Sequence, residues 1–361
     1  MKTKAVRLYG AKNLQLDEFE LPPIKENEIL AKVISDSLCM SSYKAAQQGS
    51  NHKRVPNNIN HEPVIVGHEF CGEIIKVGEK WQHQFSAGEK FAIQPALNDP
   101  SGPVGILSAP GYSYPFIGGN AQYIIIPNEV MKNNCLLSFK GDAFYLGSLA
   151  EPLSCVAGAC HANYHTKQGS YTHEMGIVRG GALALLAGGG PMGLAAVDYI
   201  MHCDKRPSLM IVTDINQERI NRASSIYTKE RAMKQGIDLH YINTSTEDIE
   251  LKSLTPDHKG FNDVFVFAPI PELIKHADDI LAFDGCLNFF AGPTNPAFSA
   301  SLNFYNIHYA ATHVVATSGG NTSDLKESLD LMSKGLVDPS ALITHIGGLN
   351  AVIDTTLNLP S

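Results

Sequence analysis

The stretch that decides the fold is ALALLAGGGPMG, residues 182–193. It begins with the apolar run Ala182–Ala187, which has the length of a fully buried strand. Three glycines follow, Gly188, Gly190 and Gly193, and they match the pattern G-x-G-x-x-G. In this pattern the first glycine permits a tight turn, the second lets the backbone approach a pyrophosphate, and the third lets a helix pack closely on the strand.

The residues after the glycines complete a strand–helix–strand unit. The pattern predicts a helix over Pro191–Met201, whose N-terminal N–H groups face the phosphates of a dinucleotide. A second apolar strand, Leu209–Thr213, ends at Asp214, which lies 21 residues beyond Gly193. A carboxylate there bonds the ribose hydroxyls and repels a 2′-phosphate. We therefore predict binding of NAD(H), while Arg219 leaves binding of NADP(H) open. The predicted cofactor-binding residues are Gly188, Gly190, Pro191, Met192, Gly193 and Asp214.

The composition is that of a globular protein with two domains. The chain has 361 residues, of which 44% are hydrophobic and 18% are charged. A formal net charge of −8 argues against a nucleic-acid or anionic-membrane partner. No apolar run approaches the length that spans a bilayer. The seven cysteines are scattered without a C-x-x-C pair, which is typical of reduced thiols in the cytoplasm.

Two regions of the chain differ in their hydrophobic pattern. Short apolar runs separated by turns predict a β-rich region, with strands at residues 5–8, 28–35, 70–77, 90–94 and 122–127. After a helical stretch at 150–165, strands are predicted at 182–187, 209–213, 239–242, 263–267, 286–290 and 313–317, with helices at 220–226 and 270–282. Such alternation predicts a parallel sheet covered on both faces. A last amphipathic helix is predicted over Ser323–Lys334, before Gly335.

A candidate metal site involves Cys39, His68 and Glu151, with Glu69 directly after the histidine. Thiolate, imidazole and carboxylate groups all bind zinc. A catalytic zinc takes three protein ligands and keeps one position open for water or substrate. Spacing alone leaves the alternatives open, because Cys39 could be a buried inert thiol and His68 a hydrogen-bonded core histidine.

The stretch GHEFCGEIIKVG, residues 67–78, matches G-H-E-x-x-G-x-x-x-x-x-G, the signature of zinc-dependent medium-chain alcohol and polyol dehydrogenases. Four further segments resemble the same family: KAVRLYG at 4–10, GGNAQYIIIP at 118–127, LAGGGPMG at 186–193 and LMSKGLVDPSALITH at 331–345. The resemblance implies an α/β fold in which a Rossmann doubly wound parallel sheet is inserted in a β-rich, GroES-like catalytic domain. The implied bounds are 155–316 for the dinucleotide-binding domain and 1–154 with 317–361 for the catalytic domain.

The resemblance also implies roles for the candidate metal site. It places Cys39, His68 and Glu151 on the ligands of one catalytic zinc ion. Glu69 lies beside the zinc in the family, where it acts as a catalytic residue that supports the site or as an alternative ligand. Many relatives carry four close cysteines in the loop that corresponds to residues 95–117, and this loop has none. We therefore expect no structural zinc.

Two residues on the segment after Cys39 bear on proton transfer. Ser41 falls where the family has a hydroxyl that relays the substrate proton. Its local sequence fits an N-cap serine nearly as well. Lys44 falls where many relatives carry a relay histidine, so a relay ending there stays open.

The segments SLCMSSYKAAQQGSNHKRVP, residues 37–56, and CLNFFAGP, residues 286–293, resemble ketose-phosphate reductases of this family. The implied reaction is hydride transfer from NAD(P)H to the ketone of L-sorbose 1-phosphate, which gives D-glucitol 6-phosphate, while zinc polarises the carbonyl. Lys53 and Arg54 are the candidate ligands of the substrate phosphate, and the alternative is that their loop is simply solvated.

Two other functions stay open at this point. One is a dehydrogenase of an unphosphorylated polyol or secondary alcohol with the same site. The other is a cofactor-binding protein of the same fold that lacks metal and catalysis, against which Cys39, His68 and Glu151 argue. Relatives are commonly dimers or tetramers, so a homo-oligomer is expected.

Overall fold

The computed structural model describes residues 1–167 and 169–359. The chain divides into two compact units, one made of Met1–Glu151, Asn321–Lys334 and Ile343–Ser361, the other of Pro152–Gly320 and Gly335–Leu342. The predicted bounds differ from these chiefly at residues 335–342, which belong to the second unit. They are tied there because the Arg222 guanidinium donates to the carbonyl of Ala341 at 2.5 Å and the N–H of Asp338 donates to the Asp198 carboxylate at 2.9 Å.

The regular elements are numbered in chain order. The strands are β1 (Lys2–Gly10), β2 (Asn13–Glu20), β3 (Ile29–Ser37), β4 (Val64–Ile65), β5 (Glu69–Val77), β6 (Lys90–Ile93), β7 (Tyr123–Ile126), β8 (Leu136–Ser138), β9 (Tyr164–Thr166), β10 (His173–Met175), β11 (Ala182–Leu186), β12 (Leu209–Asp214), β13 (Asp238–Asn243), β14 (Phe261–Val266), β15 (Leu281–Phe289) and β16 (His313–Val315). The α-helices are α1 (Met40–Gln48), α2 (Asn128–Lys132), α3 (Phe144–Ser148), α4 (Ala150–Ala162), α5 (Pro191–His202), α6 (Gln217–Ile226), α7 (Lys229–Lys234), α8 (Pro271–Asp279), α9 (Phe304–Tyr309), α10 (Thr322–Ser333) and α11 (Val352–Asn358). Short 3-10 helices lie at Gly49–Asn51, Glu79–Trp81, Gly105–Leu107, Leu251–Leu254, Pro256–His258, Pro339–Leu342 and Leu349–Ala351.

The first unit is β-rich, as predicted. Its five-stranded sheet has the order β7-β3-β5-β6-β8, and its three-stranded sheet has the order β2-β1-β4. Neighbouring strands in both sheets are antiparallel. Alternate residues of β3, namely Ile29, Ala31 and Val33, point into the core, which is the period of two that marks a half-buried strand. The sequence did not predict β2, because that strand, NLQLDEFE, buries only Leu14.

The second unit contains the predicted parallel sheet. Its six strands have the order β13-β12-β11-β14-β15-β16, and each neighbouring pair is parallel. Numbered within the sheet, this is the order 3-2-1-4-5-6 of the dinucleotide-binding fold. Every residue of β11 and β12 is buried, as expected for strands covered on both faces.

The helices of the second unit correct two predictions. The helix predicted over 270–282 ends at Asp279, and residues 281–282 already belong to β15. The apolar pattern continued through Leu281 and Ala282 because both side chains are buried in the strand. The helix predicted at 220–226 begins earlier, at Gln217, because Asn216 caps it, and α7 was not predicted.

We expect Gly193→Ala to destabilise the second unit, because a Cβ at Gly193 would lie 1.9 Å from the carbonyl oxygen of Gly188. Overpacking of this kind costs about 1–3 kcal/mol in the free energy of unfolding. Denaturant unfolding of the purified variant measures the loss. Gly190→Ala is the matched control, since a Cβ there would meet no atom within 4 Å. Equal stability of Gly193→Ala and wild type would contradict the close packing of α5 on the turn.

Candidate active site

The candidate metal site lies where β3 ends and β5 begins. The antiparallel register pairs Ser37 with Glu69, so the residues just after β3 lie beside those just before β5. As a result Cys39, His68 and Glu69 each offer a ligand atom, and these atoms all lie within 4.8 Å of one another. In residues 1–167 and 169–359, no other group of three or more His, Cys, Asp or Glu side chains meets this geometry.

Cys39 is fixed as the N-cap of α1. Its backbone is extended, with φ −110° and ψ 147°, and its Sγ accepts from the N–H of Ser41 at 3.4 Å. The N-cap alternative for Ser41 is therefore wrong, because the cap is the cysteine. Burial raises the pKa of the Cys39 thiol well above its usual value, and the charge of Glu69 raises it further.

His68 is a buried, neutral imidazole held by two hydroxyls. Its Nδ1 lies 3.3 Å from the Ser42 hydroxyl, and its Nε2 lies 3.3 Å from the Tyr112 hydroxyl. Burial lowers the pKa of His68 to about 3, with the charges of Arg54 and His52 acting in the same direction. A neutral imidazole that donates from Nδ1 to Ser42 keeps the Nε2 lone pair for a metal.

Two carboxylates adjoin this imidazole and thiol. Glu69 is buried, accepts a hydrogen bond from the Ser37 hydroxyl, and has Oε1 at 3.8 Å from His68 Nε2. Burial raises the pKa of Glu69 to about 7. Glu151 is also buried, on α4, but it lies outside the group defined by the 4.8 Å limit. Its charge nevertheless contributes to the raised pKa of Cys39.

The several buried acidic groups at this site are suited to binding a divalent cation. A third carboxyl group, Asp36, has its pKa raised well above the usual value by burial, by Glu69 and by Glu151. Buried acidic groups that raise one another's pKa are stabilised when a cation binds among them. Thiol, imidazole and carboxylate donors together suit Zn²⁺.

The predicted phosphate loop lies next to the metal-ligating group. The ring of His52 stacks on Tyr112 with centroids 5.7 Å apart and an interplanar angle of 12°. Arg54 donates from Nη1 to the carbonyl of Leu107 at 2.9 Å, and its own carbonyl accepts from the Ser113 hydroxyl at 2.6 Å. Lys53 is exposed, and its ammonium group has no ion-pair or hydrogen-bond partner among the described residues.

Ser42 and Tyr112 also belong to the site and are not predicted from the sequence. Ser42 follows the candidate relay serine directly, and no pattern in the sequence distinguishes the two hydroxyls. Tyr112 lies in the Gly- and Pro-rich loop of residues 95–115, whose length is itself typical of functional loops. Tyr112 is buried and touches His68, so this loop contributes to the site.

The start of that loop is organised by Asp99. Its carboxylate accepts from the N–H and the hydroxyl of Ser101 at 2.9 and 2.6 Å, and from Asn133 Nδ2 at 2.8 Å. Lys132 adds an ammonium group at 3.4 Å. These hydrogen bonds hold the pKa of Asp99 well below its usual range. A single carboxylate thus anchors a loop that contains no cysteine.

The cofactor turn lies in the second unit, between β11 and α5. Gly190 is the N-cap of α5, with Pro191 at its first turn, and the space in front of its Cα is open. That opening is what close approach of a pyrophosphate requires. The left-handed residue of the turn is Ala187, with φ 55°, rather than Gly188. Gly193 packs against Gly188, as expected of the third glycine.

Asp214 ends β12 beside this turn. One carboxylate oxygen accepts from the N–H of Gly189 at 3.1 Å, and the other accepts from the N–H of Asn216 at 2.9 Å. Each oxygen has a further lone pair that can accept from a ribose hydroxyl. Arg219 lies close to the cofactor turn. A Cβ added at Gly189 would lie 3.0 Å from the Cβ of Arg219.

Among the residues that the structure describes, no helix is both long and apolar enough to cross a membrane.

The fold and the site together define a class. Residues 25–134 match the family described as "Alcohol dehydrogenase GroES-like domain". The chain belongs to the zinc-dependent medium-chain alcohol and polyol dehydrogenases, which are NAD(P)-linked oxidoreductases that act on CH–OH groups.

Two curated relatives are similar over almost the whole chain. The L-sorbose 1-phosphate reductase of Klebsiella pneumoniae is 50% identical over 99% of this chain and 86% of its own length. The mannitol-1-phosphate 5-dehydrogenase of Aliivibrio fischeri is 50% identical over 99% of this chain and 84% of its own length. Among solved structures, 2R,3R-butanediol dehydrogenase from Bacillus subtilis has a TM-score of 0.76 at 19% identity, over 99% of this chain and 96% of that one.

Proposed function

We propose that this enzyme reduces the ketone of a ketose phosphate to a polyol phosphate with NAD(P)H, and that its substrate is L-sorbose 1-phosphate. The observation that carries the proposal is the compact group of thiol, neutral imidazole and carboxylate, with a cationic loop beside it. Both relatives described above are named for phosphorylated sugars or polyols, which supports a phosphate ester as the substrate.

In this proposal, Cys39, His68 and Glu69 hold one zinc ion. Bound there, zinc supplies Lewis-acid polarisation of the ketone. Ser42 fixes the ring and tautomer of His68, and Ser37 orients Glu69. Glu69 is proposed as the third ligand because its carboxylate lies within 4.8 Å of the ligand atoms of Cys39 and His68, and Glu151, which the sequence resemblance implies as a ligand, is the alternative.

Ser41 is proposed to deliver the proton that the reduced oxygen takes up. Ser41 lies in the first turn of α1, and both its N–H and its hydroxyl interact with the thiol of Cys39. A hydroxyl beside a metal ligand is close to the position that the substrate oxygen would occupy.

Lys53 and Arg54 are proposed to bind the phosphate group. The ammonium group of Lys53 is exposed and without a protein partner among the described residues. The Arg54 guanidinium uses one N–H on Leu107 and has other donors for phosphate oxygens. The charge of Arg54 already acts on His68, which supports a phosphate site close to the reacting centre.

The cofactor is proposed to lie across Gly188–Gly193, with its pyrophosphate at Gly190, Pro191 and Met192 and its ribose at Asp214. The carboxylate favours NAD(H), and the nearby Arg219 allows NADP(H). A single zinc ion, a dimer or tetramer and a cytoplasmic location stay predictions from the sequence.

We expect Glu69→Gln to lose most of its zinc, because an amide replaces a negatively charged donor within the compact group. The matched variant Glu151→Gln should keep close to one zinc per chain. Elemental analysis of both purified variants and of the wild type measures this. Loss of zinc from Glu151→Gln with full retention in Glu69→Gln would reverse the two assignments.

We also expect NADH oxidation with L-sorbose 1-phosphate but little with L-sorbose or D-fructose, because the free sugars leave the cations of the loop without a partner. A zinc chelator should abolish the reaction. Absorbance of NADH at a fixed enzyme concentration measures both effects. Equal or faster turnover of the free sugars would contradict the phosphate assignment and favour a dehydrogenase of unphosphorylated polyols.

The double variant Lys53→Ala/Arg54→Ala tests whether these two cations cause the preference for the phosphate ester. Charged hydrogen bonds are worth about 1.5–3 kcal/mol each, so KM for the phosphate ester should rise at least about tenfold. Lys140→Ala removes an exposed lysine of the same unit and should leave KM unchanged.

A further inference from the structure

Tyr112 is an aromatic side chain of the loop that contacts a metal-ligating residue, His68, directly. It is 5% exposed, and its hydroxyl lies 3.3 Å from His68 Nε2. Its ring contacts two imidazoles, with the His68 centroid 4.8 Å away and the stacked His52 centroid 5.7 Å away. The position of the hydroxyl is therefore fixed by contacts at both rings.

The hydrogen bond to Nε2 is available only while that nitrogen has a free lone pair. Nε2 lies 3.8 Å from the Glu69 carboxylate, so it is the nitrogen that His68 offers to a metal in the tautomer that carries its proton on Nδ1. Ligation uses the lone pair that accepts from Tyr112. A buried hydroxyl without an acceptor costs free energy, so Tyr112 then needs another acceptor close to His68.

We propose that the Tyr112 hydroxyl donates a hydrogen bond to the reacting oxygen of the ketone, and that the stack with His52 positions it. This inference rests on the proposed function of the same site. The substrate oxygen has to lie beside the ligands of the metal, which is where the hydroxyl lies.

The proposed hydrogen bond from Tyr112 to the ketone oxygen becomes stronger during the reaction. Hydride from the nicotinamide forms a C–H bond at the ketone carbon, the C=O π electrons move to the oxygen, and the cofactor is oxidised. The oxygen then takes up a proton, which Ser41 supplies in the proposed function. Tyr112 keeps its own proton throughout and stabilises the charge that develops.

Tyr114 provides a matched control. It lies two residues further along the same loop and is also buried, at 7% exposure. Its ring packs in the hydrophobic core of the first unit, with Ile65 and Ile117. Tyr112→Phe and Tyr114→Phe therefore each remove one buried hydroxyl from the same loop, but only the first removes it from His68.

The test compares the two variants as purified, zinc-loaded enzymes. For Tyr112→Phe we expect kcat and kcat/KM for the sugar phosphate to fall together by about tenfold or more, because the lost bond acts mainly in the transition state. Tyr114→Phe should stay within about twofold of wild type. His52→Ala should lower kcat, and His52→Phe, which keeps a stacking ring, should restore it.

Zinc retention gives a second measurement that does not depend on turnover. Tyr112 competes with zinc for the lone pair of Nε2, so zinc should leave Tyr112→Phe more slowly than wild type when a chelator is added. Equal kinetics of the two phenylalanine variants, or faster zinc loss from Tyr112→Phe, would overturn the inference. If the wild type reduces only free ketoses, the proposed substrate is wrong, and the same comparison with a free ketose still tests Tyr112.

Discussion

Burial of acidic groups around one point is the constraint on which the rest of the site depends. Burial raises the pKa values of Cys39, Asp36 and Glu69, and the charges of Glu69 and Glu151 raise those of Cys39 and Asp36 further. Without a cation these groups favour their protonated forms. A divalent cation favours the ionised forms, so metal binding and proton release are coupled. The strand register that pairs Ser37 with Glu69 brings these acidic groups together, because it places the end of β3 beside the start of β5.

Neutral hydroxyls orient the site. Ser37 bonds Glu69, Ser42 bonds Nδ1 of His68, and Tyr112 bonds Nε2. Hydroxyl partners do not stabilise a protonated imidazole as a carboxylate would. His68 therefore stays an uncharged ligand in a site that contains several acidic groups. The positive charges lie on the loop that carries Lys53 and Arg54, where they can interact with a substrate group of opposite charge.

The sequence predicted the elements whose pattern is set by burial alone. The parallel sheet was recognisable because β11 and β12 are buried throughout and the glycines lie directly after β11. Residues brought together by register or by an irregular loop could not be predicted in this way. Spacing does not choose between Glu69 and Glu151, since one adjoins His68 on β5 and the other lies on α4. Tyr112 belongs to a loop without periodicity, so no pattern assigns its side chain to the metal-ligating group.

The most direct test of the central claim is X-ray absorption at the zinc edge of the purified wild-type enzyme. We expect zinc with a single sulfur neighbour at about 2.3 Å and nitrogen and oxygen neighbours at about 2.0–2.2 Å. That pattern corresponds to one thiolate, one imidazole and carboxylate oxygen. Zinc surrounded by several sulfur atoms, or by nitrogen and oxygen alone, would contradict a site built on Cys39, His68 and Glu69.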